Sequence, residues 1–297
     1  MTGSREAERP ENRRGVAPIV PLVSGESHRL RLGWSSRFEV RDLEEHLRAN
    51  PGLTLWIPET GEYVIGGPWR HRREVVLVVE LSAGRHELPL LEALVAAATE
   101  QGKALVLMSE HIEVRRRAFY AAAEFELLEE ILVYELAPVP RRVPDLGDLW
   151  FQRVLPEDRA VRDELLALDH AAFPWLWWNS EEEFENYLAS DGVEVYLGRD
   201  ASGAAVSYVG VTRFRGGRWG HLDRIAVAPE RQGQGLGWRS LDFAVAVLSQ
   251  QGARRIGLST QERNAVSRRL YERYGFRRTM GHDYRLWGRW LGPRQPM

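Results

Sequence analysis

The chain has 297 residues, enough for two ordinary domains or one large one, and 44% of them are hydrophobic, the share expected of a protein that buries real cores. The formal net charge of −2 argues against nucleic acid or an anionic membrane as a partner, and the absence of cysteine removes disulfides, thiolate zinc sites and a cysteine nucleophile together. No run approaches the roughly 20 apolar residues of a membrane span.

Residues 1–16 are polar and charged, contain Pro10 and lack the apolar core of a signal peptide. They read as a disordered tail on a cytoplasmic protein. From Val16 the pattern is mixed α/β. A helix is expected over Arg37–Asn50, stopped by Pro51-Gly52, and a short strand over Leu53–Ile57. Glu59–Glu62 reads as a turn and Tyr63–Ile65 as its return strand. Glu74–Leu81 is β-branched and apolar, hence a strand; Leu88–Gln101 is a helix closed by Gly102. Ala104–Met108 is the next strand, Glu113–Phe125 a helix and Ile131–Leu136 a strand. Residues 137–147 hold three prolines and a glycine, and read as a linker between domains spanning 17–136 and 148–297.

In the second half, Trp150–Val154 is a strand and Glu157–Ala172 a helix. Phe173–Asn179 is an aromatic loop, and Ser180 caps a helix whose first turn is acidic. Val193–Gly198 and Ala204–Phe214 are strands, Gly216-Gly217 a turn, and His221–Ala228 a further strand. A helix carrying Leu236, Leu241, Ala244, Val245 and Leu248 on one face ends before Gly252. Arg254–Leu258 is a strand, and Asn264–Tyr274 a helix stopped by Gly275.

The halves share a pattern. QGKALVLMSE from Gln101 matches QGARRIGLST from Gln251 at an offset of 150, and AFYAAAEF ending at Phe125 matches RLYERYGF ending at Phe276 at an offset of 151. Two matches in one order and nearly one register argue for duplication of a single unit. The first copy has only Gly84 in the turn after its strand, with Glu87 near where an anion would sit, so it reads as degenerate.

The second copy has Gln232-Gly233-Gln234-Gly235-Leu236-Gly237 between a strand and a helix. Glycines there admit positive φ and close approach of a ligand, and a helix N-terminus favours an anion. The alternative is a merely tight turn. A nucleotide P-loop would need Lys-Ser/Thr after the last glycine, and Trp238-Arg239 stand there; the dinucleotide fingerprint would need glycine at Trp238.

Val227-Ala-Pro229 followed by Gln232-x-x-Gly235-x-Gly237 resembles the acetyl-CoA pyrophosphate motif of the GNAT superfamily of N-acetyltransferases. Asn264-x-x-Ser267-x-x-Leu270-Tyr271-x-x-x-Gly275-Phe276, starting 27 residues past Gly237, resembles that superfamily's second motif. The likeness covers about 148–290 well and the first half weakly. It implies two tandem GNAT-like α/β domains, each a twisted mixed sheet flanked by helices, the second one catalytic. Tandem copies with a degenerate partner occur in the superfamily, mycothiol synthase being one example.

The resemblance implies acetyl-CoA as co-substrate, with no metal. The backbone of Ile225, Ala226 and Val227 would hold the pantetheine arm and polarise the thioester; Gln232, Gly233, Gln234, Gly235, Leu236 and Gly237 would hold the pyrophosphate. Asn264 and Ser267 would complete the site, Asn264 also reading as a helix N-cap. One or two arginines, from Arg268, Arg269, Arg273, Arg277 and Arg278 or from Arg231 and Arg239, would meet the 3′-phosphate. Tyr271 would be the general acid for the departing thiolate, a phenol holding its proton at neutral pH.

His221 and Asp223 lie two apart on one strand and so face one way. The HLDRIAV stretch resembles the HLHALAV-like strand of arylalkylamine N-acetyltransferases, with Asp223 for the second histidine, and the histone-type members place a catalytic glutamate at His221. Either residue is a candidate base, or Asp223 orients His221. Phe173, Trp175, Trp177 and Trp178 are candidates for the acceptor pocket or for plain packing. Ala172-Phe-Pro-Trp175 resembles the ribosomal-protein alanine acetyltransferases. Three functions are therefore open: acetylation of a small primary amine in a ternary complex, acetylation of a peptide N-terminus, or non-catalytic acyl-CoA binding by a regulatory protein.

Overall fold

The computed structural model describes residues 18–33, 36–110, 115–216 and 218–296. The expected tail, the start of the helix expected from Glu113, and Gly217 of the expected turn lie outside them. In chain order the elements are β1 (Val20–Pro21), α1 (Val40–Ala49), β2 (Thr54–Trp56), β3 (Tyr63–Trp69), β4 (Arg72–Ser82), α2 (Glu87–Glu100), β5 (Leu105–Glu110), α3 (Arg117–Ala122) and β6 (Glu126–Leu136). There follow β7 (Trp150–Arg153), α4 (Arg159–Ala172), α5 (Glu181–Ala189), β8 (Val193–Arg199), β9 (Ala205–Arg213), β10 (Trp219–Val227), α6 (Leu236–Gln250), β11 (Arg255–Gln261), α7 (Ala265–Tyr274), β12 (Arg277–Arg278) and β13 (Tyr284–Trp290).

The chain forms two compact units, one of Met1–Gly66 with Val79–Ala97, the other of Gly67–Val78 with Ala98–Met297. The division runs through β3, β4 and α2, not through the proline-rich stretch at 137–147.

In the first unit β2 pairs antiparallel with β1 and with the start of β3. α1 turns Leu43 and Leu47 onto Leu22, Leu30, Trp56, Tyr63 and Ile65. Its N-terminus is closed by a capping box between Glu39 and Asp42, which satisfies amides the helix leaves free. Ahead of α2 the amides of Gly84 (2.6 Å), Arg85 (2.8 Å) and His86 (3.4 Å) all donate to Glu62 Oε1. A carboxylate of the chain itself thus fills the anion position before this helix.

In the second unit β4 runs parallel to β5, Val75 opposite Leu105 and Val78 opposite Met108. From β5 the sheet continues β13, β6, β11, β10, β9, β8, β7. β10 and β11 are again parallel, and each parallel pair is flanked by an antiparallel strand from the other half of the sequence: β13 beside β5, β6 beside β11. β6 and β13 pair with each other. This exchange of strands is why compactness does not divide at residues 137–147. That stretch is also bound down: Arg142 Nη2 donates to Asp242 of α6 at 2.7 Å, and the Asp145 amide to the same carboxylate at 3.3 Å.

α6 and α4 cover opposite faces of β8–β10. Leu241, Ala244, Val245 and Leu248 pack on Val209, Val211, Leu222 and Leu258, whereas Val161, Leu165 and Leu168 pack on Val195, Leu197 and Tyr208. The strand alternation places neighbours such as Tyr208 and Val209 in different cores.

The repeated segments fold alike. Lys103 N–H bonds Ala98 O and Ala253 N–H bonds Leu248 O, both at 3.0 Å. Phe125 N–H bonds Tyr120 O at 2.8 Å, and Phe276 N–H bonds Tyr271 O at 3.0 Å. Glu124 takes φ 57° where Gly275 takes φ 121°.

Several elements differ from those expected. β3 runs on to Trp69 beyond the expected Ile65, the helix before Phe125 is short, Arg117–Ala122, β6 starts five residues before the expected Ile131, and β13 has no counterpart among the expected strands. β13 carries Arg285, Gly288 and Arg289, which hide its strand character. Gly288 is there for space, since a Cβ would come within 2.3 Å of Leu128 Cδ1. No described helix is long and apolar enough to cross a membrane.

Burial opposes ionisation of Glu62, but the bonds from His86, Arg85 and Gly84 prevail and hold its carboxyl at about 2 against an ordinary 4.5. A lowered folded pKa means stability present above the ordinary value and lost as pH falls toward 2. Glu62→Gln is therefore expected to lower the urea midpoint at pH 7 and to flatten the fall in stability between pH 4.5 and 2; equal acid limbs in both proteins would refute this role.

Candidate active site

β10 and β11 stay paired only from Trp219↔Arg255 to Leu222↔Leu258. Beyond this, β10 follows β9 to Val227↔Ser207, with a bulge between Leu222 and Arg224, and β11 follows β6 to Gln261↔Ile131. The sheet opens between them. Ala228 N–H bonds Val206 O at 2.9 Å, so by alternation the amides of Ile225 and Val227 turn away from β9, into the opening. A cavity of about 520 Å³ fills it, lined among others by Ile225, Ala226, Val227, Gln232, Gly233, Gly237, Asn264 and Ser267.

At one end of this cavity Gly233 and Gly235 have φ 76° and 80°. A Cβ at either would meet nothing within 4 Å, so glycine is needed for its backbone, and the surface beside it is open. Gly235 is the N-cap of α6. Gln232 Nε2 donates to Val227 O at 3.2 Å and folds the loop back on the strand. Two members of the expected loop point elsewhere. Gln234 accepts from Arg231 Nε at 3.4 Å, and Leu236 is buried with Leu149 and Val206.

A further cleft of about 570 Å³ shares Val266 and Leu270 with the first cavity and is lined also by Asp145, Gly235, Trp238, Arg239, Arg269 and Arg273. Of the arginines considered for a phosphate, these three lie here. Arg231 is committed to Asp200 (2.7 Å), Arg268 to Glu262 (3.2 Å) and Arg278 to Asp283, while Arg277 donates to the Glu272 and Phe276 carbonyls.

A second cavity, of about 240 Å³, adjoins the first and shares Phe173, Ile225, Gln261, Asn264 and Ser267 with it. His221, Asp223 and Tyr271 line this second space together. His221 Nδ1 lies 2.7 Å from Asp223 Oδ1. Asp223 Oδ2 accepts from Thr212 Oγ1 at 2.6 Å and Tyr187 Oη at 2.5 Å. Burial and the charge of Asp223 push the Tyr187 phenol well up, so it stays a donor. Both carboxylate oxygens are thus engaged. Gly257 makes room for it, since a Cβ there would sit 3.2 Å from His221 Cδ2.

Tyr271 is buried against Tyr134 and Phe276. Burial raises its pKa, with the Ser267 hydroxyl drawing it part-way back, so the phenol keeps its proton. Asn264 Oδ1 caps α7 by accepting from Ser267 N–H at 3.1 Å while also lining both cavities. Register gives the counterparts in the first half: Leu107 corresponds to Gly257 in the repeat, and Leu77 opposite Leu107 stands where His221 stands opposite Gly257. A phenol is kept there, as Tyr120, but no imidazole.

The four aromatics expected at the acceptor divide. Phe173 lines both cavities and Trp177 the second. Trp175 lines neither: it packs on Trp290, with the Arg72 guanidinium 4.2 Å over its ring. Trp178 lines neither: it stacks on His170 and donates to Phe173 O at 2.8 Å.

The site rests on a buried ion pair. Arg224 donates to Asp169, to Tyr208 Oη (3.0 Å) and to Trp177 O (3.0 Å), and lies 3.8 Å over the Phe173 ring. Asp169 accepts further from the Asn179 amide at 3.0 Å. This network pins the aromatic loop to β10.

Residues that the sequence does not mark as site candidates also line the second cavity, among them Arg70, Ile131, Arg224, Gln261 and Tyr284. Arg70 and His71 form the β3–β4 turn with φ 52° each, the left-handed pair that a two-residue hairpin requires. Asn-Gly would have signalled that turn; Arg-His does not. Burial and the neighbouring Arg224 lower Arg70 to about 10. Among the described residues no group of His, Asp and Glu is placed to hold a metal ion.

Residues 160–276 match the model of the acetyltransferase (GNAT) family. The matched stretch runs from α4 to Phe276 and contains the glycine loop, His221, Asp223 and Tyr271. Solved structures of similar fold include a GCN5-related N-acetyltransferase from Sphaerobacter thermophilus, with TM-score 0.56, 19% identity, and 84% of this chain and 86% of that one covered. A tandem GNAT protein from the clavulanic acid biosynthesis pathway gives TM-score 0.52 and 18% identity over 94% of this chain and 99% of that one. A probable N-acyltransferase from Enterococcus faecalis gives TM-score 0.60 and 12% identity over 92% and 72%. No curated protein sequence matches the chain. The open mixed sheet flanked by helices is thus similar in fold to these structures, as the mixed α/β pattern of the sequence leads one to expect.

Removing one partner of a buried pair strands the other charge, at about 3–5 kcal/mol. Asp169→Asn is expected to lose stability on that scale in urea unfolding; a loss below about 1 kcal/mol would show that Arg224 finds other compensation.

Proposed function

We propose that the protein is an N-acetyltransferase that moves acetyl from acetyl-CoA to a primary amine of a small molecule, both substrates being bound at once. The observation that carries this is the meeting of two cavities at Ile225, Asn264 and Ser267, with His221 and Tyr271 together on the wall of the second. The first cavity suits acetyl-CoA. Unpaired strand amides face the pantetheine, a glycine loop with two positive φ values and a helix N-terminus faces the pyrophosphate, and Arg239, Arg269 and Arg273 stand further along for the 3′-phosphate. The second cavity, at about 240 Å³, is smaller than the pockets that take drug-sized ligands, which favours a small amine over a peptide.

In the proposed chemistry His221 Nε2 takes the proton an ammonium must lose before nitrogen attacks the thioester carbon. Asp223 holds the ring by Nδ1 and stabilises the imidazolium. The amides of Ile225 and Val227 stabilise the negative oxygen as the C–N bond forms. Tyr271 gives its proton to sulfur as the C–S bond breaks, and the proton that nitrogen sheds on becoming an amide restores the phenol by way of solvent. A purely acyl-CoA-binding protein would not need the engaged His221–Asp223 pair. The first half is on this reading a copy of the same unit whose anion position is filled by Glu62 and in which Leu77 stands in place of the base. It shapes the active half by lending β6 and the β3–β4 turn.

Tyr271→Phe is expected to lower kcat about 100-fold or more with acetyl-CoA affinity within about twofold; unchanged turnover would sink the acid assignment. Because burial raises Tyr271, its loss of proton should produce no alkaline limb at or below its ordinary 10.0. Gly235→Glu is expected to abolish acetyl-CoA binding in calorimetry, by strain at φ 80° and by a carboxylate at the phosphate; retained affinity would refute the loop assignment.

A further inference from the structure

Arg70 is a cation inside the second cavity with no anion of its own. Its Nη1 donates to Asn179 Oδ1, a neutral amide oxygen, at 2.6 Å. Its Nε is out of contact with water and has no hydrogen-bond partner. The guanidinium lies 5.5 Å from the Trp69 ring and 5.4 Å from the Trp177 ring, aromatic faces that fix its plane. Among the described residues no carboxylate forms an ion pair with it. Asp169 is committed to Arg224, and Glu183 lies against His71 at 3.7 Å. The one carboxylate on the cavity wall, Asp223, is engaged by His221, Tyr187 and Thr212.

The backbone is set to hold this cation in place. Arg70 and His71 both take φ 52°, which costs side-chain-bearing residues energy that Asn-Gly would avoid. Ser180 Oγ fixes the turn by donating to Arg70 O at 3.1 Å. Strain, an unmatched charge and a free donor coincide on the wall that carries His221 and Tyr271.

Resting on the acetyl-transfer reading above, we infer that the acceptor is an amine that also bears a carboxylate, and that Arg70 is the residue that binds it. A cavity with a surplus cation repels a plain alkylammonium; a carboxylate on the same molecule offsets that repulsion. The guanidinium fork matches a planar carboxylate in two parallel hydrogen bonds. Its charge also disfavours the ammonium form of the nearby amine, which eases the proton loss to His221. Arg70 is a specificity residue in this scheme and takes no part in bond making.

The test is acetyl-CoA turnover over matched pairs, α- and ω-amino acids against their amides, with thermal-shift binding of the same compounds to the CoA-loaded protein. The full chain is expected to use its best acid with kcat/KM about 10- to 100-fold above the matching amide. Arg70→Gln should remove that ratio, chiefly through a raised KM for the acid, and leave acetyl-CoA affinity unchanged; Arg70→Lys should restore part of it. Equal use of acids and amides by the native protein, or absence of any acid-dependent binding or turnover, would overturn the inference. The native acid-to-amide ratio does not depend on the variants folding. Turnover of amides alone would overturn the carboxylate inference and leave acetyl transfer standing; acetyl transfer falls if acetyl-CoA fails to bind or binds with no amine acetylated.

Discussion

The parting of β10 from β11 after Leu222 and Leu258 is the constraint on which the rest depends. A parallel pair normally satisfies its own amides, and a strand opened inside a sheet leaves buried donors and acceptors without partners. Here each strand keeps its outer neighbour, β9 or β6, so only the inner edges are left open. Those edges form the cavity, and the amides of Ile225 and Val227 face into it. The bulge between Leu222 and Arg224 falls at the opening, bringing His221 and Asp223 to one wall while Arg224 turns into the core to meet Asp169.

The two halves contribute unequally to that arrangement. β6, from the first half, supports β11 on the side the opening leaves, and the β3–β4 turn delivers Arg70 to the cavity wall. Glu62 occupies the anion position before α2, and the corresponding loop before α6 carries Gly233 and Gly235. The same turn before a helix is thus closed by an internal carboxylate in one half and open in the other.

Much of this was legible in the sequence. Strand alternation, the helix faces of α4 and α6, the Ser180 and Asn264 caps and the glycine loop are local signals, and each depends on residues within one or two turns of chain. The paired motifs placed the two ends of the first cavity. What was not legible depends on contacts between distant segments. The exchange of β6 and β13 leaves no local trace, because both strands look ordinary or weak along the chain. Trp175, Trp177 and Trp178 are alike in sequence, and only Arg72, Trp290 and His170 decide which of them faces the cavity. Asp223 could be ranked against His221 only once Thr212 and Tyr187 were seen on its second oxygen. Arg70 was hidden because its turn lacks the residues that usually mark one.

The central claim is that acetyl-CoA lies in the opened sheet with its thioester at the junction of the two cavities. A crystal structure with acetyl-CoA bound tests it most directly. The account predicts pyrophosphate oxygens on the amides of residues 233–237, the thioester oxygen on the amide of Ile225 or Val227, and sulfur within hydrogen-bond reach of the Tyr271 hydroxyl. Acetyl-CoA bound away from the β10–β11 opening, or with its sulfur remote from Tyr271, would contradict it.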